Sequence, residues 1–246
     1  MYSDGRTSYK KEAFSALNDC TTEGNIGALF LKLMENKTFA EKFAERFKEI
    51  ANDYFSAEIA NQKIENRIAA ISDAMEKTQQ RFTGAHFYTD SVAEFFNKRG
   101  EYAMKYLGYL LDPASYPTNV ELATHAPGQS YTAECPTTVP EHPYECQAVA
   151  DWDIYLQKGY TYEFTYKVTG PAGGKFAGYV MRGGGDYKSF IPEADEIVTT
   201  NGSEIKKTIT FTMKESCYNA RISFDCGYAT GKYTFTDISL KCTKNG

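Results

Sequence analysis

Residues 1–112 contain no proline, and all eight prolines of the 246-residue chain stand at Pro113 or beyond. Proline removes a backbone donor and breaks helix interiors, so its absence leaves the first stretch open to helices and its return excludes them. Histidine is also scarce. Its three copies, His86, His125 and His142, lie in no pattern with a serine or cysteine that would build a nucleophilic triad, and no catalytic residue is expected. Phosphate-binding motifs are missing too, because Gly183-Gly184-Gly185 is not followed by a helix whose N-terminus could hold the anion. There is no run of about 18 apolar residues to span a bilayer, and Met1-Tyr2-Ser3-Asp4-Gly5-Arg6 carries no hydrophobic signal core. With 27 basic against 32 acidic residues, a net charge of −5, the chain lacks the basic surface that nucleic acid or an anionic membrane would require. No CxxC spacing is present, which removes the usual zinc ligand set.

In the proline-free part, apolar residues recur at helical spacing in Phe39, Phe43, Phe47, Ile50 and Tyr54, and again in Ile64, Ile68, Ile71 and Met75. These stripes predict a helical core. Thr38 with Glu41 and Ser91 with Glu94 have capping-box spacing and predict helix starts near 39 and 92. Further helices are expected at about 8–18, 25–36 and 57–82. The dyad of prolines in Asp112-Pro113-Ala114-Ser115-Tyr116-Pro117 ends this part and enforces an extended connection.

Beyond it the periodicity changes to two. Tyr162, Phe164, Tyr166 and Val168 alternate with polar residues, as do Ile209, Phe211 and Met213 with threonines, and Ile222, Phe224 and Cys226 with Arg221, Ser223 and Asp225. Turn formers at Gly170-Pro171, Gly183-Gly184-Gly185 and Asn201-Gly202 separate the runs. The fold class is therefore α+β in two domains: an all-α subdomain over 1–112, a linker over 113–120, and an antiparallel β-sandwich over 121–246. Five of the six cysteines, Cys135, Cys146, Cys217, Cys226 and Cys242, fall in the β part, with Cys20 in the helical part. They fit either disulfides or buried thiols.

Two family resemblances sit on these residues. The segment Ile26 to Phe47, with Asn36, Phe39, Phe43, Arg46 and Phe47 in order, then Tyr54-Phe55-Ser56 and the helix Arg99 to Leu107, resembles the end of the CotH (spore-coat H) kinase-like family. That family's nucleotide- and metal-binding acidic motifs lie upstream of the matching region. The resemblance implies a catalytically empty piece whose helices pack on a kinase-like partner domain. The second set is Trp152 to Leu156, Gly159 to Tyr166, Phe211-Thr212-Met213, Arg221 to Gly227 and Gly231 to Leu240. In order and spacing it resembles jelly-roll carbohydrate-binding modules of families four and nine. The segment before Trp152, short and rich in proline and cysteine, departs from their pattern.

This second resemblance implies a polysaccharide ligand of plant-cell-wall β-glycan type, an extracellular setting, and one structural calcium ion. The ion would lie between an early carboxylate, Glu134 or Glu121, and Asp237 of the last strand, an oxygen cage of the kind calcium takes. For the glycan, rings would lie against sugar faces with a few polar groups fixing orientation. The candidates are Trp152, Tyr155, Tyr179, Tyr187 and Phe190 for stacking, and Gln157, Arg182 and Asp186 for hydrogen bonds. By parity Trp152 shares the face of Ile154 and Leu156, whereas Tyr155 and Gln157 take the opposite, outward face. A structural or protein-interaction module is the alternative to a glycan-binding one.

Overall fold

The structure is a computed structural model that describes residue 14 and residues 26–54, 56–82, 89–123, 125–126, 128–184 and 186–244. The chain divides into two compact units, with the main boundary between Leu111 and Asp112.

The first unit is helical: α1 (Ile26–Met34), α2 (Lys37–Glu49), which runs into a π-helical turn over Ile50–Tyr54, α3 (Ala57–Arg81) and α4 (Thr89–Leu111). The starts differ from expectation in an instructive way. Asn36, not Thr38, caps α2, its side-chain oxygen accepting from the Phe39 amide at 3.1 Å; asparagine is as good a cap as any, and the Thr38/Glu41 pair falls inside the helix. α4 begins at Thr89, two residues before Ser91. The helix expected at 8–18 lies outside the described residues, apart from the buried Phe14, which groups with the second unit. Phe30 packs on Phe43 edge to face at 5.0 Å, and Ala103, Tyr106 and Leu107 of α4 are buried. The expected core stripes are only partly realised, since Phe39, Phe43, Phe47, Ile64 and Ile68 are half-buried while Ile50 and Ile71 are exposed. No helix among the described residues is long and apolar enough to cross a membrane.

The second unit is a sandwich of two four-stranded antiparallel sheets. Its strands are β1 (Tyr131–Cys135), β2 (Gln147–Leu156), β3 (Thr161–Thr169), β4 (Lys175–Arg182), β5 (Ile197–Thr199), β6 (Ile205–Thr212), β7 (Cys217–Asp225) and β8 (Gly231–Lys244), with a short helix α5 (Glu193–Glu196) before β5. One sheet runs β1-β8-β3-β6 and the other β2-β7-β4-β5. The alternating apolar sets meet between them. Tyr162, Phe164, Tyr166 and Val168 from β3 and Ile222 and Phe224 from β7 are fully buried, and the Phe224 ring stacks on Phe235 of β8 at 3.9 Å and 11°. This aromatic layer is the core.

Residues 113–120, expected as a linker, belong to the sandwich unit instead. Tyr116 is 3 % exposed, its hydroxyl donates to the Tyr155 carbonyl, and its ring meets Tyr155 and Tyr160 edge on, each at 5.4 Å. Pro113 opens a 3-10 turn over Pro113–Ser115 in place of the extended connection expected, and the large ring that follows finds a place out of water over the end of the sandwich.

The cysteines Cys135, Cys146, Cys217 and Cys226 are thiols here. Burial, followed by a hydrogen bond with Cys135, pushes the Cys146 thiol up to about 11, and burial does the same for Cys217. Because the thiolate is the reactive form, such groups are nearly inert at neutral pH. We expect a maleimide to leave these four unlabelled in the native chain and to label them on unfolding without reductant, read by peptide mass spectrometry. Labelling that requires prior reduction would mean they are bridged.

Candidate functional site

Since Ile222 and Phe224 point into the core, Arg221, Ser223 and Asp225 of β7 point the other way, onto the outer face of the sheet β2-β7-β4-β5. Register places neighbours beside them. Asp225 lies between Gln147 and Ala177, Ser223 between Val149 and Tyr179, and Arg221 beside Met181. Residues directly opposite across an antiparallel pair share a face, so these side chains form one surface. It is a polar row that the sheet holds mostly out of water: Arg221, Ser223 and Asp225 are all buried.

At one end of the row, Gln147 donates its side-chain N–H to Asp225 Oδ1 at 2.5 Å. Burial raises the Asp225 carboxyl above the usual carboxylate range, an effect opposed by that hydrogen bond and by the Arg221 charge. In the middle, the Ser223 hydroxyl has no hydrogen-bond partner. Beside it Tyr179 is half-buried, and its hydroxyl is pushed up by burial and then by the hydrogen bond with Tyr228. At the other end, the Arg221 guanidinium sits over two rings, Trp152 and Tyr187, each 5.0 Å from ring centre to the guanidinium carbon. Both rings reach water, at 38 % and 52 % exposure.

Two irregularities of the backbone put those rings there. Between the pairs Asp151↔Ile222 and Ile154↔Ala220, β2 uses one residue more than β7, so Trp152 and Asp153 together face Arg221. That is a β-bulge, with Asp153 in the left-handed region at φ 58. The extra residue reverses parity, and Trp152 turns outward although Ile154 and Leu156 turn inward. The expectation that Trp152 shares their face is thereby corrected. Tyr187 also has a left-handed backbone, φ 50, at the tip of the hairpin that follows β4. Non-glycine residues adopt this conformation at a cost of roughly 1–3 kcal/mol and keep it only where the surroundings dictate it, often at functional sites.

The hairpin is braced. The Gly183 amide donates to the Asn219 carbonyl at 2.9 Å, and a Cβ at Gly183 would stand 2.5 Å from that oxygen. Arg182 donates to Asp186 at 3.0 Å and to Glu215 at 3.2 Å, and Lys188 reaches Glu215 at 2.6 Å. Arg182 and Asp186, expected to contact ligand, are therefore occupied in holding the loop that carries Tyr187. Phe190 lines a separate open depression of about 540 Å³ with Thr210, Thr212 and Glu215.

Tyr155 and Gln157 are not on the surface. They are 7 % and 8 % exposed. Tyr155 stacks on Tyr218 at 4.9 Å beneath Tyr116, its hydroxyl donates to Gln157 Oε1, and the Gln157 amide donates to the Tyr162 hydroxyl at 2.7 Å. The outward exposure that parity predicts for them is not found, and Tyr116 packs on Tyr155 at this end. Glu134 and Asp237 do not meet either. Glu134 pairs with Lys232, five residues along β8 from Asp237, or about 16 Å in a strand, and Asp237 is 2.9 Å from the Lys167 ammonium. Glu121 accepts from the Leu240 amide at 2.8 Å and from the Ser239 hydroxyl. Among the described residues no three His, Cys, Asp or Glu side chains gather as a cation site would need. Of the histidines, His86 lies outside the described residues, His125 stands 3.6 Å from Asp151, and His142 stacks on Tyr144.

The structure thus brings together Trp152, Tyr179 and Tyr187 of the expected set and adds Gln147, Arg221, Ser223 and Asp225. The missing signal was in plain view: the strand Arg221 to Asp225 puts a cation, a hydroxyl and a carboxylate on its outward positions, where an ordinary solvated face repeats threonine and lysine.

Residues 3–103 match the family model described as CotH kinase protein. No curated protein matches the chain. Among solved structures, a carbohydrate-binding module of family four shares 14 % identity over 51 % of this chain and 81 % of its own, with a TM-score of 0.41. The N-terminal cellulose-binding domain of β-1,4-glucanase C from Cellulomonas fimi shares 15 % identity over 48 % of this chain and 82 % of its own, TM-score 0.38. The CBM22-1 xylan-binding domain from Paenibacillus barcinonensis shares 12 % identity over 50 % and 100 %, TM-score 0.30.

Proposed function

We propose that the sandwich binds a polysaccharide, without transforming it, on the outer face of the sheet β2-β7-β4-β5. The observation that carries this reading is the pairing of exposed rings with a partly unsatisfied polar row: Trp152 and Tyr187 at one end, Tyr179 along the side, and Ser223 with an unused hydroxyl between them. A sugar offers a flat apolar face and a fringe of hydroxyls. Rings fixed by backbone geometry take the first at little entropic cost, and Ser223, Asp225 and Gln147 can exchange hydrogen bonds with the second.

The test is affinity electrophoresis of the full chain in gels containing xylan, mixed-linkage β-glucan or soluble cellulose. Retardation by at least one polymer is expected, and Trp152→Ala or Tyr187→Ala should weaken it by about tenfold or more, as for anchor residues at the centre of an interface. Tyr155→Phe, a change inside the buried cluster, should leave retardation intact. Unaltered mobility on every polymer would refute the reading and favour a structural or protein-interaction role.

A further inference from the structure

Arg221 is the most unusual charge on this face. It is 9 % exposed, its Nε has no hydrogen-bond partner, and it forms no ion pair among the described residues. A buried charge without a close ion pair is costly in any fold, and burial accordingly lowers the Arg221 pKa, an effect that the more distant Asp225 charge opposes. The neighbouring Arg182 has an Nε that is likewise without a partner, but its charge is met by Asp186 and Glu215, and in that the two arginines differ. Trp152 and Tyr187 offset part of the cost through their ring faces. Ring faces do not use N–H groups. The donors of a guanidinium lie in its plane, and a planar cation flanked by rings keeps its edge for an acceptor that is itself planar, anionic and able to take two parallel hydrogen bonds.

We infer that the ligand is an acidic polysaccharide, and that Arg221 receives the carboxylate of a uronic acid unit between Trp152 and Tyr187. This rests on the glycan-binding reading and specifies its ligand. Asp225 supports the direction. Its backbone stands four residues along β7, about 13 Å in an extended strand, and its carboxylate, within electrostatic reach of Arg221, already accepts from the Gln147 amide. Its charge turns a second carboxylate away from that end while still accepting hydroxyls, so a uronate is admitted at the Arg221 end and neutral sugar units at the other. With a net charge of −5, the chain as a whole repels polyanions, so binding of one would report this local site and not a general attraction.

The experiment compares the full chain on polygalacturonate and on glucuronoxylan with the same polymers after chemical reduction of their carboxyl groups, by isothermal titration and affinity electrophoresis. At least one acidic polymer should bind at least about tenfold tighter than its reduced form, with the advantage shrinking as salt rises. Arg221→Gln should erase the difference while retaining binding through the rings. Circular dichroism reports whether that variant folds, and the native chain on paired polymers decides the matter if it does not. Equal affinity for acidic and reduced polymers would overturn the uronate assignment and leave glycan binding standing. Absence of binding to every polymer, acidic or neutral, would overturn both.

Discussion

Phe224→Ala will destabilise the sandwich by about 3–5 kcal/mol, the range for emptying an aromatic site in a packed core. Phe224 is fully buried on β7 and stacks on Phe235 from the opposite sheet at 3.9 Å, with Tyr166 edge on at 5.1 Å and Phe164 and Phe176 beyond. Losing the ring removes buried area and also several pairwise aromatic contacts, each about 0.5–1.5 kcal/mol beyond area. Its neighbours cannot close the gap, because they sit on strands fixed by two hydrogen-bonded ladders. Trp152 is the chain's one tryptophan and lies on the sandwich, so its emission during urea titration reports this unit. A midpoint shift equivalent to under about 1 kcal/mol would mean the aromatic layer is not the core that its geometry describes.

Gly231→Ala will cost about 2–4 kcal/mol by a different route. Gly231 opens β8 opposite Cys135 with φ 133, a region that side-chain-bearing residues rarely enter, and a Cβ there would stand 2.6 Å from Cγ of Pro171. Strain and collision act together, and relief of one by moving the strand start would disturb the pairing with β1. Gly184→Ala supplies the contrast, since nothing lies within 4 Å of the added carbon. It should change stability by no more than about 0.5 kcal/mol. Equal midpoints for the two variants in the same titration would sink the argument.

Much of the fold was legible in the sequence because single patterns carried it. The proline gap marked the helical part, and alternation in Tyr162 to Val168 and in Ile222 to Cys226 named the inner face of each sheet. Where reading failed, the cause was a contact or a defect that no pattern announces. Tyr155 and Gln157 have outward parity yet are buried, because Tyr116, 39 residues before Tyr155, packs on that ring, and Gln157 is held by the Tyr155 and Tyr162 hydroxyls. Trp152 has inward parity yet is exposed, because one extra residue in β2 resets the count. The same limit hid the site. Alternation names Ile222 and Phe224 as core, but it gives Arg221, Ser223 and Asp225 only as polar alternates, since their burial depends on what the flanking strands and the hairpin after β4 place around them.

The bulge at Trp152 and Asp153 has an evolutionary consequence. In a regular strand, converting a core ring into a contact ring takes coordinated substitutions on both faces. Here the change is local, because a second one-residue shift between Val149 and Asp151 restores the count, so Gln147 and Val149 stay outward and Ile154 and Leu156 stay inward while Trp152 changes face between them. A pair of compensating shifts can thus turn one ring outward between two stretches of ordinary alternation, leaving the hydrophobic layer on either side in place, and sandwiches with the same interior can diverge in the rings they show.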